Sequence, residues 1–180
     1  MSEVNSASLQ GFGDEAFKVA VYIEKRPPMP AWQQLYHLHA MQTGQINEIN
    51  QACGNGWRKV FNVYSKVLFA LPSEFYDFAK RAPDWQTFRD EQLLQAHSQT
   101  TLLFSPPILN KPKQLHIIAG RTYAKQLINN GLLDCQVTWL DDEFAINKSS
   151  KVIVCPYFDY RQLSNIKIAR LSQLVADVVS

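Results

Sequence analysis

Four short segments of this chain are apolar at consecutive positions rather than alternating ones: VAVYI (19–23), TLLF (101–104), LHIIA (115–119) and VIVC (152–155). Successive strand residues point to opposite faces of a sheet, so such strands need cover on both faces. Segments with the 3.6-residue apolar period of helices lie between them and can supply that cover. The pattern predicts an α/β fold, a three-layer α/β/α sandwich with a central, mostly parallel sheet of four or five strands. At 180 residues, a single domain spanning 1–180 accommodates it.

The small, polar start of the chain predicts a loosely ordered tail over residues 1–14. FKVAVYIE (17–24) reads as the first strand, and the prolines of KRPPMPAW end it. Residues 31–96 read as helical. AWQQLYHLHAM brings Trp32, Leu35, Tyr36 and His39 to helical spacing, and residues 56–71 place Val60, Phe61, Tyr64, Val67, Leu68 and Leu71 on one face. Pro72 stops that helix, Ser73 and Glu74 suggest the start of another, and a further helix is expected over 83–96. QLHIIAGRTYAKQLINNG (114–131) is a strand, a glycine turn and a helix in succession. One or two strands follow in 135–146, and residues 161–179 form an amphipathic final helix.

Composition excludes several classes. Apolar residues make up 46% and charged residues 19%, which separates the chain from disordered proteins. No apolar run is long enough to span a bilayer, and MSEVNSASLQGFGDE lacks the regions of a signal peptide, so no membrane association and a cytoplasmic location are expected. A net charge of +2 argues against a long polyanion-binding surface. Three cysteines without a CxxC pair and four histidines without ligand spacing predict neither disulfide framework, nor metal, nor cofactor. Cys135 and Cys155, in apolar runs, are expected to be buried, inert thiols.

In open parallel sheets, ligands bind beyond the carboxyl ends of the strands. The segments leaving those ends are EKRPP, SPP, AGRTYA and CPYFDYRQ, which carry Glu24, Lys25, Arg26, Ser105, Gly120, Arg121, Thr122, Tyr123, Tyr157, Phe158, Asp159, Tyr160 and Arg161. Among these, Arg26, Gly120, Arg121, Tyr157, Phe158, Tyr160 and Arg161 are the candidate ligand-binding residues. Asp159 and Glu24 are the candidate catalytic carboxylates. Each has a structural alternative: the aromatics can cover the sheet end, and the arginines can pair with surface carboxylates. Asp159 with Gln162 matches a capping box for the last helix, a role Ser164 can also fill. AGRTYA is neither a dinucleotide fingerprint nor a P-loop, although amides at a helix start still suit an anion.

LHIIAGRTYAKQL and VIVCPYFDYRQLSN resemble the second half of the uracil-DNA glycosylase superfamily, where a glycine-ended strand enters a helix and a later strand runs into a loop and final helix. Gly120 and Ala124 match the first element, and Cys155 to Leu163 occupy the place of the second. The resemblance implies that fold and places VYIEKRPP at the water-activating loop and LLFSPP at the base-reading strand. The family's His-Pro-Ser loop has no counterpart, because no histidine lies between Val152 and Asn165. PYFDYRQLSN also resembles an uncharacterised gammaproteobacterial family with no assigned function. Three functions fit these residues: a module binding a nucleotide, nucleic acid or small anionic ligand, with tyrosines stacking a base and arginines holding phosphate; an N-glycosidic hydrolase; or a protein-interaction domain.

Overall fold

The computed structural model describes residues 9–180. Strands β1 (Gly11–Gly13) and β2 (Val19–Tyr22) precede a single helical turn, α1 (Pro30–Gln33), and the short strand β3 (Leu38–His39). Helices α2 (Gln45–Cys53), α3 (Asn55–Ala70) and α4 (Trp85–Glu91) lead to β4 (Thr100–Leu103) and β5 (Leu115–Ala119). Helix α5 (Arg121–Asn129), the hairpin of β6 (Thr138–Trp139) and β7 (Ala145–Asn147), then β8 (Val152–Cys155) and α6 (Asn165–Val179) complete the order.

The eight strands form one sheet in the order β3-β1-β4-β2-β5-β8-β7-β6. Its centre is parallel: β2 pairs with β4 and β5, and β5 with β8. These strands hold the four predominantly apolar runs, and all seventeen of their residues are buried, Thr100, Thr101 and His116 included, as two-sided cover requires. The flanks correct the expectation of a mostly parallel sheet of four or five strands. β1 runs antiparallel to β4, and β7 antiparallel to both β8 and β6, so the sheet is mixed and eight-stranded. Strands of two or three residues leave too short a pattern to recognise in sequence.

Alternation along the central strands divides the core. Val19, Val21, Ile117, Ile153 and Cys155 face α2, α3, α4 and α6, with Val60, Phe61, Tyr64, Phe88 and Leu171 among the covering residues. Ala20, Tyr22, Ile118, Val152 and Val154 face α5 through Ala124 and Leu127. Tyr64 fixes α3 on the sheet: its hydroxyl, fully buried, donates to the Thr101 carbonyl at 2.7 Å. Burial pushes the Cys155 thiol well above its ordinary range, whereas Cys135 is only half-buried and lies outside the strands.

Three local expectations are revised. Residues 34–44 are not helical: Leu38–His39 pairs in parallel with Gly11 and Phe12, and the Met41 N–H donates to the Leu94 carbonyl at 2.8 Å. Ser73 and Glu74 open a turn before a 3-10 segment at Phe78–Lys80 rather than a helix. Gly11–Gly13 is a buried strand, not a tail, while residues 1–8 lie outside the described residues. Helix α4 covers only Trp85–Glu91 of the expected 83–96, and Asp84, at its N-cap, accepts the Thr87 N–H through Oδ1 at 2.7 Å. Among the described residues, no helix is long and apolar enough to cross a membrane, and no three His, Cys, Asp or Glu cluster as metal ligands.

Candidate functional site

The chain leaves β2 through α2, α3 and α4 on one face of the sheet, and leaves β5 through α5 on the other. Counting parallel strands alone, the spatial order is second, first, third, fourth. Connections departing to opposite faces open a crevice between the carboxyl ends of the first and third strands, where doubly wound sheets bind ligands. A cleft of about 460 Å³ lies there, with Glu24 and Lys25 following β2, Gly120 and Arg121 following β5, and Tyr157 following β8. A larger cleft of about 600 Å³ borders Gly13, Asp14 and Gln114, by the amino-terminal strand ends. Position in the sheet favours the first.

Gly120 makes the turn from β5 into α5. Its φ of +106° is open to glycine, and its N–H donates to the Cys155 carbonyl at 2.8 Å, tying the β5 and β8 ends together. The first intrahelical acceptor is the Gly120 carbonyl, bonded by the Ala124 N–H, so the preceding amides at Arg121, Thr122 and Tyr123 have no carbonyl within the helix. That first turn lines the cleft and brings the positive end of the helix dipole to it. Tyr123 and Tyr157 are both half-buried. Burial raises both hydroxyl pKa values, with the charge of Glu24 adding to the effect on Tyr123 and that of Asp159 on Tyr157, so both remain O–H donors at neutral pH.

The opposite wall is the turn between β6 and β7. Asp141 Oδ1 accepts the N–H groups of Glu143 and Phe144, each at 2.8 Å, and Arg170 pairs with the same carboxylate. Lys167 Nζ meets Glu143 at 2.8 Å, so α6 holds the turn in place from two points. Arg121 donates to the Asp142 carbonyl at 3.2 Å across the cleft. Acidic and basic groups therefore both face the space: Glu24 and Asp142 against Lys25 and Arg121.

The string after β8 divides three ways. Tyr157 lines the cleft. Phe158 is fully buried in the opposite core, edge-on to Tyr64 with ring centroids 5.8 Å apart. Asp159, Tyr160 and Arg161 turn towards α3. Asp159 Oδ1 accepts the Arg161 backbone N–H at 2.9 Å, its Oδ2 accepts from the Arg161 guanidinium at 2.8 Å, and Lys59 stands 3.7 Å away. Chiefly the Arg161 hydrogen bond lowers the Asp159 pKa to about 2. Gln162 donates its N–H to the Asp159 carbonyl, so the pair is not a capping box, and Ser164 stands at the N-cap of α6 without a side-chain bond. Arg26 also leaves the cleft: its guanidinium donates to the carbonyls of Trp32 and Leu35 and to Gln10, and stacks 5.4 Å from the Phe104 ring. Ser105 is buried, accepting the Gln10 N–H.

The sequence model of the Family of unknown function (DUF6942) matches residues 10–176. The chain belongs to that family. No curated protein and no solved structure matches it. In this DUF6942 chain, the sheet edge brings together Glu24, Gly120, Arg121 and Tyr157 of the expected set and leaves Arg26, Phe158, Asp159, Tyr160 and Arg161 outside. Asp142 and Glu143 complete the cleft from a hairpin turn whose sequence, LDDEF, reads only as a polar loop.

Proposed function

We propose that the cleft between β2 and β5 binds a nucleotide or a ligand of similar size and chemistry. The observation that carries this reading is the convergence, at the switch point, of the α5 first turn with the half-buried rings of Tyr123 and Tyr157. The α5 amides and Arg121 suit a phosphate, a tyrosine face suits a base, and Glu24 or Asp142 suits hydroxyl or amino groups. Such mixed lining favours a small ligand over a nucleic-acid duplex. Calorimetric titration with nucleoside monophosphates, nucleosides and inorganic phosphate tests it. Monophosphates are expected to bind most tightly, with Arg121→Ala weakening them and sparing nucleosides, and Tyr157→Ala weakening both. Absence of binding at millimolar ligand, or affinity indifferent to both variants, overturns the reading.

A second reading makes the site an N-glycosidic hydrolase on a glycosylase-like scaffold. Glu24 favours it, being an exposed carboxylate in the segment after β2, where that resemblance places the water-activating loop. Asp159 serves it less well, because its carboxylate is engaged by Arg161 and Lys59. Base release from nucleosides or uracil-containing DNA, abolished by Glu24→Gln, is the result that this reading requires.

A further inference from the structure

Helix α3 carries Arg58, Lys59 and Lys66 and no acidic residue. Two clefts, of about 290 and 470 Å³, meet along it at Arg58, which lines both. Arg58 is exposed and joins no ion pair among the described residues. Aromatic rings flank the cations: Lys59 Nζ lies 5.4 Å from the centre of Tyr160, and Lys66 Nζ lies 5.3 Å from that of Trp85. Tyr160 is 56% exposed, although a large ring gains from cover. Asp90, the acid in the larger cleft, is already paired with Arg89 at 2.9 Å, while Arg89 also donates to Asn62 at 2.8 Å.

A buried group in the same cleft adds an independent observation. Asn50 is 8% exposed, lines the larger cleft beside Arg58, and its Oδ1 has no hydrogen-bond partner among the described residues. A buried amide oxygen without a donor is costly; Oδ1 is closed to solvent where it stands, so a turn of the Asn50 side chain into the cleft brings it to an incoming N–H or O–H. Cations, the exposed ring of Tyr160 and an amide able to read a base edge are the three elements of a single-strand platform.

We propose that the α3 groove, from Asn50 past Arg58 to Lys66, binds a short segment of single-stranded nucleic acid. Arg58 and Lys66 hold phosphates, Tyr160 stacks a base, and the Asn50 amide meets a base edge or sugar hydroxyl. The ridge from Asn55 to Lys66 is about 16 Å long at 1.5 Å per residue. That length fits about four nucleotides, the small end of single-strand sites, and it is compatible with the low net charge. A duplex hides the base faces that Tyr160 would stack, and an acidic peptide gives the ring no planar partner.

Fluorescence anisotropy with labelled single strands of about eight nucleotides tests this, titrated from about 50 to about 200 mM salt. Binding is expected to weaken with salt. Arg58→Ala and Lys66→Ala should each lower affinity at least about five-fold and reduce the salt slope by about one. Tyr160→Ala should lower affinity about as much without changing the slope. Lys148→Ala, an equal loss of charge on the exposed turn before β8, should leave affinity within about two-fold. Where Arg58→Ala lowers the thermal midpoint, Arg58→Gln takes its place. The proposal fails if single strands do not bind at about 50 mM salt, if Lys148→Ala weakens binding as much as Arg58→Ala, or if a duplex or polyglutamate binds as tightly.

Discussion

The Tyr22 hydroxyl and His116 Nδ1 lie 2.7 Å apart, both side chains sealed between the sheet and the α5 layer. Across the strands, His116 registers with Ala20 on β2 and Val152 on β8, so its flanks are apolar. Its Nε2 has no partner among the described residues. A charged imidazole here would be desolvated with a single neutral hydrogen-bond partner.

Burial accordingly lowers the His116 pKa to about 4, from about 6.5 when unfolded. Between these values the unfolded chain takes up a proton that the folded chain refuses, so stability falls as pH drops from about 6.5 to about 4. The full effect is up to about 3 kcal/mol, at about 1.4 kcal/mol per pH unit. Urea unfolding of wild type and His116→Gln at pH 7 and pH 5 measures it. The variant should lose most of the difference between the two pH values. An equal difference in both proteins would assign the acid sensitivity to other groups.

Asp159 acts in a lower window. Its folded pKa is depressed to about 2, so the stability it confers is present above pH 4 and is lost as pH falls towards 2. At neutral pH, Asp159→Ala leaves Lys59 and the Arg161 N–H without their acceptor and should cost about 1–3 kcal/mol. Arg161→Ala should cost less than about 1 kcal/mol, since that side chain is 67% exposed and Lys59 remains beside the carboxylate. Thermal midpoints should therefore fall further for Asp159→Ala than for Arg161→Ala. The reverse order would place the arginine, not the carboxylate, at the centre of the contact.

Gly13 is held at φ +134°, and a Cβ there would sit 2.3 Å from the Thr100 carbonyl oxygen. The obstacle is backbone of the neighbouring strand, which has no rotamer to change. Gly13→Ala should destabilise by more than about 2 kcal/mol and separate β1 from β4. Denaturant midpoints and amide exchange at Thr101 and Leu102 provide the measurement. An unfolding free energy within about 0.5 kcal/mol of wild type would show that β1 contributes little to the folded sheet.

Natively, Cys155 should resist thiol reagents that label Cys53, which is partly exposed. Its closed position in β8 and raised pKa both withhold the thiolate. Equal labelling rates for the two would indicate that the β8 end opens.

The parallel centre of the sheet was written in local pattern. Runs such as VIVC and LHIIA are apolar on both faces, and only a doubly covered strand satisfies them. The helix over Asn55–Ala70 and the Gly120 turn were legible for the same reason: a sustained period and a residue with particular backbone freedom act over short distances. β1 was not legible, because GFG carries one strand-forming side chain and its glycines answer to the backbone of β4, some ninety residues away. The cleft shows the same division. Strand ends named Glu24, Gly120, Arg121 and Tyr157 as neighbours, since parallel strands deliver their carboxyl ends to one edge. Which way each side chain turned there was settled by contacts that only the folded backbone brings together. Phe158 found the ring of Tyr64, Asp159 found Lys59 beside Arg161, and Arg26 found the carbonyls of Trp32 and Leu35, each exchanging solvent or the cleft for a contact that no local pattern encodes.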